Sequence, residues 1–178
     1  MRTIEIAPGL TLYTEPVVHD GRPPREAERA AVQSIISSVY GAGTRILHNP
    51  DGAPFIPGSE HCISVSHCRT LAGVLVCNNG LRGGLDLETT DRGEQLHRVA
   101  PRFLSADELP YWAADPLRLL QAWTIKEAAF KAAGLPIADL REIHLTPDST
   151  LVTARDTHLT IAALMFCSED TFASIVIR

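Results

Sequence analysis

Between Glu26 and Tyr40 the apolar residues Ala27, Ala30, Ala31, Val32, Ile35, Ile36 and Val39 recur at steps of three and four. That spacing predicts an amphipathic helix, closed by Gly41 and Gly43. A short strand is expected at residues 45–48, and the Pro/Gly-rich stretch 49–58 reads as loop or turn, a possible wall for a pocket. Cys62 to Ser66 and Leu71 to Cys77 have strand character. Asn78-Asn79-Gly80 reads as a hairpin turn into a strand over Gly84 to Glu88, which predicts three adjacent strands.

The second half opens with helical material around Gln95 to Ala100, and Ser105-Ala106-Asp107-Glu108 has the form of a capping box before another short helix. The longest helix is expected over about residues 116–133. Asp115 can cap it, Pro116 suits its first position, and Gly134 followed by Pro136 ends it. Strand patterns over 142–146, 151–153, 157–166 and 171–177, separated by polar turns, predict an antiparallel meander. Each half therefore reads as a helix on a small antiparallel sheet. The predicted fold class is α+β with two pseudo-symmetric halves, 1–79 and 80–178, meeting near residues 78–80.

With 178 residues, 45% of them hydrophobic, the chain can bury a substantial core. A net charge of -5 excludes a broad nucleic-acid or anionic-membrane surface, so any bound anion must be met locally. Cys62, Cys68, Cys77 and Cys167 show no close metal-type spacing and read as reduced thiols. With no signal-like N-terminus and no membrane-length apolar run, a cytoplasmic location is expected. Among 16 basic residues only Lys126 and Lys131 are lysines. Both lie in the predicted long helix, where a compact ammonium can do what an always-charged guanidinium cannot, namely give up a proton.

Asp86 and Glu88 fall on one face of a strand, with alpha carbons about 6.6 Å apart, a spacing that lets two carboxylates share a hard divalent cation. Alone, the pair reads first as two solvated acids at a strand end. Trp123, Glu127 and Lys131 step by four along the helix and form one stripe. Facing Asp86 and Glu88, that stripe would gather carboxylates and ammonium groups suited to displacement at a metal-bound phosphate ester. Ser66-His67 and Arg69 at a strand end are candidate anion contacts. Neither common glycine-rich nucleotide loop is present.

Two motifs carry a resemblance. Gly84-Leu85-Asp86-Leu87-Glu88 is similar to the G-x-D-x-E signature of the 4'-phosphopantetheinyl transferases, and Trp123-Thr-Ile-Lys126-Glu127-Ala-Ala-Phe-Lys131 to their W-x-x-K-E-x-x-x-K signature. Weaker similarity reaches upstream to Ser66-His67 and to Gly52-Ala53-Pro54, and the length resembles a compact surfactin-synthetase-type member with both halves in one chain, which implies a monomer. The resemblance implies Mg2+ on Asp86, Glu88 and Glu127, with coenzyme A as co-substrate and an apo acyl or peptidyl carrier protein as acceptor. Glu127 would be the base and Lys131 the leaving-group partner. Lys126 would add charge nearby, and His67, with Ser66 and Arg69, would contact coenzyme A phosphate. Arg22, Arg25 and Arg29 are the candidates for its 3'-phosphate.

Departures from the family pattern are Ala53 in place of a lysine and Cys68 in place of a serine. A non-catalytic binder of carrier protein or coenzyme A and a metal-dependent phosphohydrolase are the rival classes.

Overall fold

The computed structural model describes residues 1–134 and 136–178. The chain runs β1 (Arg2–Ala7), β2 (Leu10–Pro16), α1 (Pro24–Tyr40), β3 (Leu47–His48), β4 (Pro54–Phe55), β5 (Cys62–His67), β6 (Leu71–Cys77), β7 (Gly83–Thr89), α2 (Arg92–Leu96), α3 (Leu109–Trp112) and α4 (Pro116–Ala133). It finishes with β8 (Ile143–Leu145), β9 (Leu151–Ala154), β10 (Thr157–Ser168) and β11 (Thr171–Ile177). Two antiparallel sheets carry the fold, ordered β1-β2-β6-β5 and β7-β11-β10-β9-β8. This is the α+β architecture expected from the sequence.

The buried residues sort into three clusters that define the layers. Ala27, Val32, Ile35 and Ile36 of α1 meet Ala72, Val74 and Val76 of β6. The alternate residues Leu71, Leu75 and Cys77 face Leu85, Leu87, Ala173 and Ile175 of the second sheet. Beyond that sheet, α4 packs on Phe172 and Val176. The order is helix, sheet, sheet, helix. Every residue of β6 is buried because both of its faces are covered, which is why its sequence is a continuous apolar run rather than an alternating one.

One topological expectation fails. Asn79 and Gly80 do form a turn with positive φ, 56° and 76°, but the strand after it does not pair with β6. β7 joins the second sheet, alongside β11. Its opposite edge faces β5 and is met by side chains: the Ser64 hydroxyl accepts from the Leu85 N–H at 3.0 Å, and the Ser66 hydroxyl from the Leu87 N–H at 3.1 Å. Two serines thus satisfy edge amides that a hairpin partner would have taken.

Smaller differences have local causes. The N-terminal hairpin of β1 and β2 was not expected, although Thr3 to Ile6 and Leu10 to Tyr13 alternate in polarity around a Gly9 turn of φ 80°. The 49–58 stretch is not all loop, since Pro54–Phe55 pairs with Leu47–His48. The capping box is half formed: Glu108 accepts from the Ser105 N–H at 2.9 Å, but the Ser105 hydroxyl makes no cap and α3 starts only at Leu109. The long helix has the expected bounds, with the Asp115 side chain accepting from the Arg118 N–H and Gly134 in the left-handed conformation.

Candidate active site

On β7 the side chains alternate between two environments. Leu85 and Leu87 enter the core between the sheets, leaving Gly84, Asp86 and Glu88 on the face that α4 covers. Gly84 makes that cover close: a Cβ there would stand 1.9 Å from the Ala128 carbonyl oxygen. On the neighbouring strand, the Ser174 hydroxyl, opposite Asp86, lies 2.7 Å from the Thr124 hydroxyl of α4. The helix carrying Glu127 and Lys131 is therefore pressed against the strand carrying the two acids.

Asp86 is the centre of this contact. Its Oδ1 lies 2.8 Å from Lys131 Nζ and accepts from the Ser66 hydroxyl at 3.1 Å. Lys131 also donates to the Leu85 carbonyl at 2.8 Å. The second oxygen, Oδ2, is buried and has no hydrogen-bond partner. Burial pushes the Asp86 carboxyl upward against the opposing pull of Lys131.

Glu88 pairs with Arg92 at 3.1 Å, yet burial still raises its carboxyl to about 7, Arg92 opposing and the Asp86 charge assisting. Glu127 is raised by burial and then by Asp86, with Lys131 and Arg92 opposing. These three carboxyls feel one another's charge in a partly desolvated place. Among the described residues no three His, Cys, Asp or Glu side chains are already gathered into a coordinating group. Lys131 and Arg92 hold the expected metal ligands Asp86 and Glu88 as ion pairs. A hard divalent cation nevertheless fits the chemistry of the set: it would give Asp86 Oδ2 a partner and offset the burial, and after it the mutual repulsion, that raise Glu88 and Glu127.

Asp86, Lys131, Ser66 and His67 line an open cavity of about 1400 Å³, whose lining does not include Glu88 or Glu127. Arg29, Arg45 and His48 line it as well, beside Gly52, Ala53 and Pro54. Basic groups from α1, the loop after it and the β3–β4 ribbon thus surround one cavity in an acidic protein, the local arrangement an anionic ligand requires. His67 is also within 3.3 Å of Glu28 on α1.

Other expected contacts point elsewhere. Arg69 does not line the cavity; its guanidinium lies 3.4 Å from Asp91. Arg25 is exposed outside the lining, and Arg22 is paired with Asp20 at 2.6 Å. Cys68 is buried near Thr70 and Thr171.

Lys126 corrects the sequence reading most. Its side chain is 0% exposed and its ammonium lies 2.7 Å from Glu108, donating also to the carbonyls of Ile143 and Leu140. One step along the helix turns it away from Asp86 and into the core, where its charge serves Glu108. The sequence reading passed over Arg45 and His48 as cavity residues and Arg92 as the partner of Glu88. Glu88 lies on β7 and Arg92 opens α2, so no helical or strand spacing links the two in the sequence.

A family model described as the 4'-phosphopantetheinyl transferase superfamily matches residues 83–176. Its span opens at the first residue of β7 and contains Asp86, Glu88, Glu127 and Lys131. No curated protein matches the chain.

Proposed function

Since this chain belongs to the 4'-phosphopantetheinyl transferase superfamily, we propose that it moves the 4'-phosphopantetheine group of coenzyme A onto a serine hydroxyl of an apo acyl or peptidyl carrier protein, as a compact single-chain member of the surfactin-synthetase type. The observation that carries this reading is the Asp86–Lys131 pair in the wall of a cavity also lined by Arg29, Arg45, His48 and His67. A phosphate-rich substrate in that cavity would bring its pyrophosphate to Asp86.

In the proposed reaction the carrier serine oxygen attacks the β-phosphate of coenzyme A, and Glu127 takes the serine proton, directly or through water. Burial and the Asp86 charge raise the Glu127 carboxyl, which makes its anion a stronger base than an exposed glutamate. The bond from the β-phosphorus to the oxygen bridging to the α-phosphate breaks, and adenosine 3',5'-bisphosphate leaves with that electron pair. Lys131, one helical turn beyond Glu127, stabilises or protonates the departing group. Mg2+, held by Asp86, Glu88 and Glu127, would supply charge neutralisation at the pyrophosphate. His67 and Arg29 would bind phosphate oxygens, and Arg45 would bring charge to the wall where Ala53 supplies none. Transfers of this kind depend on alignment and electrostatics more than on a covalent intermediate.

No helix among the described residues is long and apolar enough to cross a membrane, and a cytoplasmic monomer remains part of this proposal. Incubating apo carrier proteins with coenzyme A and Mg2+, then weighing the intact product, tests it. Addition of one phosphopantetheine to the carrier is expected. An unmodified carrier across a panel of acyl and peptidyl types would overturn the reading, and cleavage of coenzyme A without a carrier would replace it with a phosphohydrolase.

A further inference from the structure

Arg92 occupies an unexpected place for a surface arginine. It opens α2, four residues after Glu88, with its Nε 3.1 Å from Glu88 Oε1 and its guanidinium 5.5 Å from the centre of the Trp123 ring. Its charge also acts on Asp86 and Glu127, opposing the upward push of burial on both. Its one direct partner among the carboxylates assigned above to Mg2+ is Glu88.

Its backbone and its side chain differ in freedom. The start of α2 is pressed onto α4, because a Cβ at Gly93 would stand 2.4 Å from the Pro116 carbonyl oxygen. Trp123, beneath the guanidinium, belongs to α4 as well, and is fixed in turn by an edge-on contact with Phe103 at 5.0 Å. The Arg92 side chain is 43% exposed, so the head group can swing toward water while its base stays fixed. The Trp123 face offers the moving cation a second contact.

We infer that Arg92 is the resident counter-ion of the metal site: it pairs with and orients Glu88 in the cation-free protein, and it yields Glu88 when the divalent cation enters. Guanidinium and metal then compete for one carboxylate, and Arg92 sets how much Mg2+ the protein needs. This rests on the assignment of Asp86, Glu88 and Glu127 as cation ligands. It makes Arg92 a positioning residue, acting through Glu88 rather than on the substrate.

The test is Mn2+ binding to the metal-free full-length protein, without coenzyme A, by calorimetry or by the loss of the free Mn2+ resonance signal at pH 8. Arg92→Gln is expected to bind Mn2+ about tenfold more tightly than the unmodified protein, since a full positive charge beside the site is gone. Arg92→Lys keeps the charge and is expected to stay within about threefold of it. Affinity in Arg92→Gln that is unchanged or weaker would overturn the inference.

A second measurement needs no variant. The Arg92 Nε–Hε signal in nuclear magnetic resonance spectra is expected to shift as Mg2+ is added, and a signal unmoved at saturation would also overturn it. If the unmodified protein takes up no Mn2+, or Glu88→Gln takes it up equally well, the cation assignment itself falls and the inference with it.

Discussion

Lys131 Nζ stands 2.8 Å from Asp86 Oδ1, joining two motifs through residues that lie 45 positions apart in the chain. The contact works because the intervening segment returns α4 across β7 at the separation that Gly84 permits. Leu85, between two acid-side residues, supplies a carbonyl to the same ammonium. Lys131 is thus oriented by backbone as well as by charge, and keeps its position if the Asp86 carboxylate turns toward a cation.

Replacing either α4 side chain in the proposed chemistry is expected to remove turnover without unfolding the protein. Glu127→Gln deletes the base and Lys131→Ala the leaving-group partner, and losses of about 10²-fold or more in kcat are expected for each. Carrier modification followed by intact mass, alongside a thermal melt, checks both points. Near-normal transfer by either variant would remove that residue from the assigned role.

Gly84→Ala is expected to destabilise the protein by about 3 kcal/mol, at the upper end of overpacking costs, because the added carbon meets a backbone carbonyl rather than a flexible side chain. For the same reason, trimming the neighbour by Ala128→Gly is not expected to rescue it. Denaturant melts of the single and double variants decide the matter, and a double variant as stable as the parent would show that the contact is not with the backbone.

The buried Lys126–Glu108 pair predicts a different outcome from the Lys131 pair. Glu108 also accepts from the Leu145 N–H at 2.7 Å, so the pair ties α4 to β8 and to the turn before α3. Lys126→Met strands a buried carboxylate and is expected to cost about 3 kcal/mol or more. The Mg2+ concentration giving half-maximal activity should stay where it was. A marked change in that concentration with unchanged stability would return Lys126 to the active site.

Local pattern and local chemistry explain how much of this was readable in advance. The bounds of α4 were legible because Asp115, Pro116 and Gly134 each act within one turn of the helix. The facing of Asp86 and Glu88 followed from strand alternation alone. What escaped was decided by distant partners. β7 has the turn of a hairpin before it, but its apolar residues Leu85 and Leu87 pack between two sheets, and Ser64 and Ser66 rather than β6 satisfy its free edge. Likewise, Lys126 and Lys131 look alike in the sequence. A difference of five helical positions sends one toward Glu108 in the core and the other toward Asp86 at the cavity. Arg45 and His48 escaped because nothing in their own segment shows which cavity the β3–β4 ribbon will border.

The raised carboxyl of Glu88 fixes the sign of a pH effect. Its folded value is about 7 against an ordinary 4.5, so between those values the metal-free folded protein keeps a proton that the unfolded chain releases. The stability this contributes is fully present below pH 4.5 and is lost as pH rises through 7. Asp86 and Glu127 shift in the same direction, so the comparison must be with Glu88→Gln, which cannot release that proton. The unmodified metal-free protein is expected to lose more melting temperature than this variant between pH 5.5 and pH 8. A bound cation replaces the proton as the neutralising charge, so Mg2+ should restore the loss at pH 8 and bind progressively more weakly below pH 7. Equal pH dependence in the two proteins would mean that the Glu88 carboxyl is ionised throughout this range, and the desolvated acid cluster would not be what prepares the site for its cation.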